Sequence, residues 1–418
     1  MQQTRARASR WAYEGPLARR VSVIVLAAAT GIGTGCHDAA TDPTSATTPT
    51  FAVSHDGMWL VNSLADPGDG ECTSSECTLR EAIAVAQAGD HITFKSNMSG
   101  TIGLTAGTLV IGKILTIDGP GADRITVSGQ NASTVFQIGD VDPVALATIS
   151  GLTITGGNNL PTGMGGGIRV LAGARLTLIG SLVTGNTAST GAGIYSEGTL
   201  TVVGSTIAAN RASYSGGGIV SDGVLTVSRS TVSGNRTDFW RGGGILVLCS
   251  VFCGTGPSIR SSTITANDAS GDGGGVYLLT PTTLSNTIIA GNRVNGDPAA
   301  STADCWDTAD LDLGYNVSTL GTGCNLTGST DVILQLPSQV FTSVLEPLLA
   351  DNGSPRKTHA LIERGYAVDA GYCPGESGDQ RGFPRPFDDL RMPNALDGCD
   401  IGAFEWQPAD TKTKGPKP

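Results

Sequence analysis

Apolar and polar positions alternate in short bursts along the middle of the chain. The bursts recur in GGGIRVLAGARLTLIGSLVTGN (165–186), GAGIYSEGTLTVVGSTIAAN (191–210), GGGIVSDGVLTVSRSTVSGN (216–235) and GGGVYLLTPTTLSNTIIAGN (273–292). Side chains on a strand point to opposite faces in turn, so LTV and STI each predict one short strand with its apolar residues turned inward. The glycine-led segment predicts a third strand after a tight corner. No helical periodicity separates these runs. Strands of this length are unstable alone and need stacked neighbours.

Each copy closes on an asparagine. Asn186, Asn210, Asn235, Asn267 and Asn292 are spaced by 24, 25, 32 and 25 residues, the long interval holding an insertion, LCSVFCG. An upstream copy, ATISGLTITGGN, closes at Asn158, and LTIDGPGADRITVSGQN reads as a degenerate one. Three short strands per turn of about 25 residues predict an all-β fold, a right-handed parallel β-helix over 96–295, with coils stacked at about 4.8 Å. Asparagine tolerates the left-handed conformation that a corner requires, so the closing asparagines are expected there, with glycines at another corner. Leucine-rich repeats need leucine where STI places serine, and calcium-binding nonapeptide repeats need GGxGxD, which is absent.

The open ends of such a solenoid expose strand edges and must be capped. Over 56–95, the strand-like MWLVNSL and HITF flank TLREAIAVAQAGD. Thr78 and Glu81 have the spacing of a capping box, Leu79, Ala82, Ile83 and Ala86 share one helical face, and Gly89 is expected to end the helix.

Composition narrows the class. With 59 glycines, 39% apolar and only 15% charged residues in 418, the chain is neither disordered nor collagen-like. A net charge of −11 argues against a nucleic-acid partner. Arg19 and Arg20 precede VSVIVLAAATGIG, too short to span a bilayer comfortably, and Gly33-Thr34-Gly35-Cys36 follows. Residues 1–36 therefore read as an export signal resembling a bacterial lipobox, with Cys36 lipidated as the membrane tether; a plain cleaved signal is the alternative. Residues 37–55, rich in Thr, Ala and Pro, read as a flexible linker. Nine cysteines leave eight once Cys36 is set aside, in four close pairs: Cys72–Cys77, Cys249–Cys253, Cys305–Cys324 and Cys373–Cys399. In an exported chain these read as disulfides. None of the four histidines, His37, His55, His91 and His359, lies near a cysteine pair, so no metal site is expected there.

CTLREAI (77–83) resembles the CSLREA motif of bacterial and archaeal surface proteins, with Thr78 in place of serine. Over 296–407 the chain resembles a choice-of-anchor Q region. The resemblance rests on the preceding NTIIAGN (286–292) and on DC (304–305), LGYNVSTLGTGC (313–324), LEPLLADNGSPRKTHAL (345–361), AVDAG (367–371), DQRGFPRP (379–386) and CDIGAFE (399–405). The coils are similar to polymorphic outer-membrane protein repeats. The resemblance implies a cell-surface, outer-membrane or extracellular protein with a β-helix body and a C-terminal cap, here tied by disulfides. It implies no reaction. The tail, 408–418, does not match the sorting segment frequent in the family, which leaves Cys36 as the expected anchor.

Chemistry is sparse. Between 145 and 293 there is no histidine or lysine, and the acids are Glu197, Asp222, Asp238, Asp268 and Asp272. Glu197 and Asp222 hold the same repeat position. On adjacent coils they would stand about 4.8 Å apart, a spacing suited to a retaining glycosidase or to calcium. Against this stands a solvated turn before glycine. Arg211, Arg236 and Arg293 each follow a corner asparagine, with Asp268 in line. This row predicts a grip on an acidic polysaccharide, or else charges simply held in water. Phe239 and Trp240, in a corner loop, are the aromatic candidates for stacking on sugars. DPGDGE (66–71) lacks the EF-hand register and reads as a turn, with calcium the only cofactor considered. The function expected is a binding, adhesion or structural envelope module. The alternative is a polysaccharide lyase or glycosidase.

Overall fold

The computed structural model describes residues 57–140, 145–248, 256–307, 311–324 and 326–408. Cys36, the linker, the Cys249–Cys253 pair and the tail beyond 408 lie outside the described residues. The described residues wind into a parallel β-solenoid, with no helix long and apolar enough to cross a membrane.

Three sheets run its length. Sheet 1 has ten strands, from Met58–Val61 to Leu311–Asp312, and contains the LTV runs. Sheet 2 also has ten, from Gly100–Gly103 to Val332–Leu334, and contains the STI runs. Sheet 3 has eight, from Leu109–Ile111 to Cys305–Asp307, and contains the glycine-led runs. Identical repeat positions stack in register: Ile168, Ile194, Ile219, Ile245 and Val276 form one ladder, and Val183, Ile207, Val232, Ile264 and Ile289 another. All ten are fully buried. At about 1.5–3 kcal/mol for each buried aliphatic side chain, these ladders are the main stabilising term.

The coils carry one strand more than the three expected. A fourth sheet of six strands, Asn158–Met164 to Arg293–Val294, begins directly after the closing asparagines. Its sequences (TAST, RASYS, RT, DA, RV) lack β-branched runs, so they read as corner. Small residues, Ala188 and Ala212, pack beneath it with Ala192.

The closing asparagine is not the left-handed residue. That conformation belongs to the residue before it: Gly185 (φ 64°), Ala209 (54°), Gly234 (65°), Ala266 (59°) and Gly291 (76°). The asparagine itself turns inward and is buried. Its Oδ1 accepts the backbone N–H and the side-chain amide of the preceding asparagine at 2.9–3.1 Å, from Asn186 through to Asn292. Its Nδ2 also donates to a carbonyl of the coil before, as Asn235 does to Ile207 at 2.9 Å. The third glycine of each GGG follows from this ladder. A Cβ on Gly218 would lie 2.5 Å from the Gly244 carbonyl and 3.1 Å from the Asn235 amide. The ladder starts one coil later than the repeat pattern implies. Gly157, not Asn158, holds the slot before Asn186, donating to its Oδ1 at 2.8 Å, while Asn158 pairs with Thr187 in sheet 4. A shorter row of hydroxyls, Ser181, Ser205, Ser230 and Ser262, repeats the device between sheets 1 and 2.

At its far end the asparagine row meets Asp304, whose Oδ1 accepts both Asn292 donors at 3.0 Å and whose Oδ2 accepts the Thr322 hydroxyl at 2.7 Å. Burial pushes the Asp304 carboxyl up to about 6 against these hydrogen bonds. Cys305, next to it, is bonded to Cys324.

The N-terminal cap is a helix, Leu79–Val85, over the open end of the coils. The capping box is complete: Glu81 N–H donates to Thr78 Oγ1 at 3.2 Å and Thr78 N–H to Glu81 Oε2 at 2.8 Å. The helix ends before Gly89, which instead turns the chain (φ 98°) into Asp90–Phe94. Cys72–Cys77 pins the entry. In DPGDGE, Asp66 takes a fork from Arg80 at 2.6 and 3.1 Å. Burial raises that carboxyl, but Arg80 and the Ala106 and Thr105 N–H groups outweigh it and hold it below its ordinary value.

The C-terminal region does more than close the end. After the final coil it folds back along the outer face of sheet 2. Gln380 Nε2 donates to Thr206 Oγ1 at 2.8 Å, Ser233 Oγ meets His359 Nε2 at 2.8 Å, and Ser261 Oγ donates to Glu376 Oε1 at 2.7 Å. Its own core packs Phe404, Trp406, Leu361 and Ile401 against the outward-facing Ile288 and Ala290. The DQRGFPRP arginines are interior. Arg381 pairs with Asp379 at 2.8 Å over the Phe404 ring, and Arg385 with Glu405 at 3.1 Å. Burial lifts Glu405 to about 7 despite Arg385, and burial with the Glu405 charge lifts Asp400 well above its usual range. Cys373–Cys399 ties this arm. The three disulfides are those of a chain that matures in an oxidising compartment.

Asn235→Ala leaves two buried donors of Asn210 without an acceptor. It is expected to destabilise the solenoid by about 3 kcal/mol, read as a lowered urea midpoint. Asp304→Asn keeps the ladder but removes a carboxyl that holds its proton more tightly when folded. The penalty of its charged form grows as pH rises between about 4 and 6 and is complete above that window. The variant should therefore melt higher than wild type at pH 7.5, and the difference should vanish near pH 4.

Candidate binding site

Sheet 4 and the loop after it build the most chemically distinctive exposed surface of the coils. Strand register places Arg211 beside Arg236, Arg236 beside Asp268, and Asp268 beside Arg293. The row is thus one layer per residue, as the repeat spacing implies. It is not purely basic. Asp238, two residues beyond Arg236, accepts Arg211 Nε on Oδ2 at 2.8 Å and Arg236 Nε on Oδ1 at 3.3 Å. Asp268 adds a longer contact to Arg236, 3.9 Å. Both guanidiniums remain mainly in solvent, and exposed pairs of this kind contribute only about 0.2–1 kcal/mol each. Their donors are therefore readily shared with an incoming carboxylate or sulfate.

Directly beyond Asp238 stands an aromatic ledge. Phe239 is 68% exposed and stacks on Tyr214, with ring centres 5.6 Å apart and planes 17° from parallel. Trp240, 36% exposed, tilts against the same tyrosine at 5.2 Å. The ledge is fixed by main chain: Trp240 N–H donates to the Tyr214 carbonyl at 2.9 Å, and Gly271 N–H to that of Trp240 at 2.7 Å. Arg241 lies 4.6 Å from the Trp240 ring and 4.8 Å from that of Tyr277, which stacks on Trp306 at 4.2 Å. The result is a continuous strip of rings and guanidiniums along the coil axis. Flat rings suit the apolar faces of sugars, and arginines suit their acidic substituents.

Arg293 continues the row on the next coil but stands beyond the ledge. Tyr195 and Tyr277, also aromatic positions of the coils, are buried on the outer side of sheet 3 with Val220 and Leu246. Glu197 and Asp222 do come together. Each follows a serine of the paired Ser196 and Ser221, and each is half-buried. Burial first, and then these two charges, raise the Tyr195 phenol. The residues missed from sequence are Asp238 as the bridge, and the half-buried Arg241 and Trp306 as the continuation of the ledge. The close spacing of Asp238 to Arg236 was the one signal available for the first. Trp306 reaches the site only through coil stacking. Cys373, Asp397 and Cys399 form a tight ligand-like cluster, but the two cysteines are bonded to each other and offer no thiolate.

Comparison with models of known protein families gives no match, and comparison with curated proteins gives no relative.

Asp238→Asn releases both guanidiniums. The variant should elute from an alginate column at higher salt than wild type, and an Arg211→Ala/Arg236→Ala double variant at lower salt. Identical elution of all three would remove the row from binding.

Proposed function

We propose that the chain is an exported surface protein whose β-solenoid binds a polysaccharide or related envelope component along the sheet 4 ledge. The observation that carries this reading is the exposed stack of Phe239 and Trp240 on Tyr214, set beside Arg211 and Arg236. Large exposed rings held rigid by their neighbours lose little freedom on binding and gain contact area. Three disulfides support maturation outside the cytoplasm. CTLREAI and the C-terminal motifs support membership of the CSLREA and choice-of-anchor Q surface proteins, with Cys36 as the lipid tether to the cell envelope.

The adjacency of Glu197 and Asp222 is what favours the alternative, a lyase or glycosidase. Binding is the preferred reading, because the corresponding positions of the neighbouring coils, Leu171 and Leu248, add no third acid to the pair.

Affinity electrophoresis in gels containing acidic and neutral polysaccharides tests both. At least one acidic polymer should retard the protein. Phe239→Ala and Trp240→Ala should each weaken that retardation about tenfold, or about 1.4 kcal/mol. Retardation unaffected by either change would overturn the ledge. Unsaturated or new reducing ends in the polymer, abolished by Glu197→Gln, would replace binding by catalysis.

A further inference from the structure

The C-terminal arm does not lie flush on the solenoid. Where it crosses the corner between sheets 1 and 2 it leaves a cleft of about 460 Å³, lined on the coil side by Arg229, Arg260, Ser261 and Ser285, and on the arm side by Tyr372 and Glu376. That volume lies within the roughly 300–1,000 Å³ of small-molecule sites. It is bounded by an arm that Cys373–Cys399 ties.

Its charge is the reason to single it out. The chain as a whole carries −11. In this cleft two guanidiniums stand without a carboxylate partner among the described residues. Arg229 donates only to the Gly378 carbonyl, at 3.3 Å, and Arg260 is exposed with no side-chain partner. The one acid of the cleft is already engaged: Glu376 accepts the Ser261 hydroxyl and stands 3.8 Å from buried Arg385. Arg229 holds the left-handed backbone of this corner (φ 47°), as do Ser261 (46°) and Asn286 (50°) on the following coils.

The geometry of the two cations indicates a linear ligand. Ser228 and Arg260 are register partners, so Arg229 and Arg260 stand on successive coils, about 4.8 Å apart along the axis. The exposed ring of Tyr372 and the side chain of Ser285 line the same cleft. We propose that this cleft is a second binding site, for a short linear oligosaccharide bearing carboxylate or sulfate on successive units. The arginines take the acidic groups, the ring takes a sugar face, and Ser285 takes a hydroxyl. This site is separate from the sheet 4 ledge and stands or falls apart from it.

The test is titration calorimetry of the full chain with trigalacturonate, its methyl ester, a chondroitin sulfate tetrasaccharide, inorganic sulfate and triglutamate. At least one acidic saccharide should bind, and more weakly as salt rises. Which of the two binds assigns carboxylate or sulfate. Arg229→Gln/Arg260→Gln should lower that affinity at least tenfold. Arg260→Gln alone, at an exposed position that does not endanger folding, should lower it severalfold, with partial recovery in Arg260→Lys. Phe239→Ala and Trp240→Ala should leave it unchanged. The proposal is overturned if neither acidic saccharide binds, or if the ester binds as tightly as the acid. It is equally overturned if sulfate or triglutamate matches the saccharide, or if Arg260→Gln binds like wild type.

Discussion

A buried row of side-chain amides holds the coils in register. Each asparagine of the ladder sits in an apolar interior, where an unmet amide costs about 1–3 kcal/mol, and every one from Asn186 to Asn292 is met by donors before it and an acceptor after it. Aliphatic ladders alone specify the register loosely, because one isoleucine stacks on another about as well as on a valine. The amides admit one register only. The interval of 32 residues between Asn235 and Asn267 leaves the ladder intact at 2.9 Å, its additional length falling between the sheet 3 strand Ile245–Val247 and the sheet 1 strand Ser258–Arg260.

A stack built this way has weak points at its ends and along its polar outer rows. The chain answers the first with the helix Leu79–Val85 and the second with the returning C-terminal arm. Because that arm occupies the outer hydroxyls of sheet 2, Thr206, Thr231 and Thr263, it withdraws this face from any external ligand. The side of sheet 4 is left open, and a cleft remains where the arm bridges a corner. The arm thereby decides which faces can function. Its interior is held by arginine–carboxylate pairs sealed by rings, in which Arg381 and Arg385 are wholly withdrawn from water.

The distribution of charge fits this division. Arg381, Arg385 and Arg391 of the arm are spent on its own acids, and Arg211 and Arg236 of sheet 4 are shared with Asp238 at a contact that water screens.

The repeat spacing by itself determined the solenoid, the stacked aliphatic ladders and the arginine row with Asp268 in line, while closeness along the chain gave three of the four cysteine pairs. The fourth, Cys249–Cys253, lies outside the described residues. These follow from sequence because a coil of fixed length converts separation along the chain directly into adjacency in space. The cap helix was equally legible, since Thr78 and Glu81 act over one turn. What only the tertiary structure decided is whatever depends on direction or on distant segments. The asparagines proved to face inward, with the left-handed corner passed to Gly185, Ala209 and their equivalents. The runs after them, poor in β-branched residues, became strands because their neighbours already were. Asp238 bridged two coils, Tyr214 met Phe239, and the arm folded back from residues more than a hundred positions away. No local pattern encodes such contacts, because they arise from the packing of surfaces that exist only once the coils have formed.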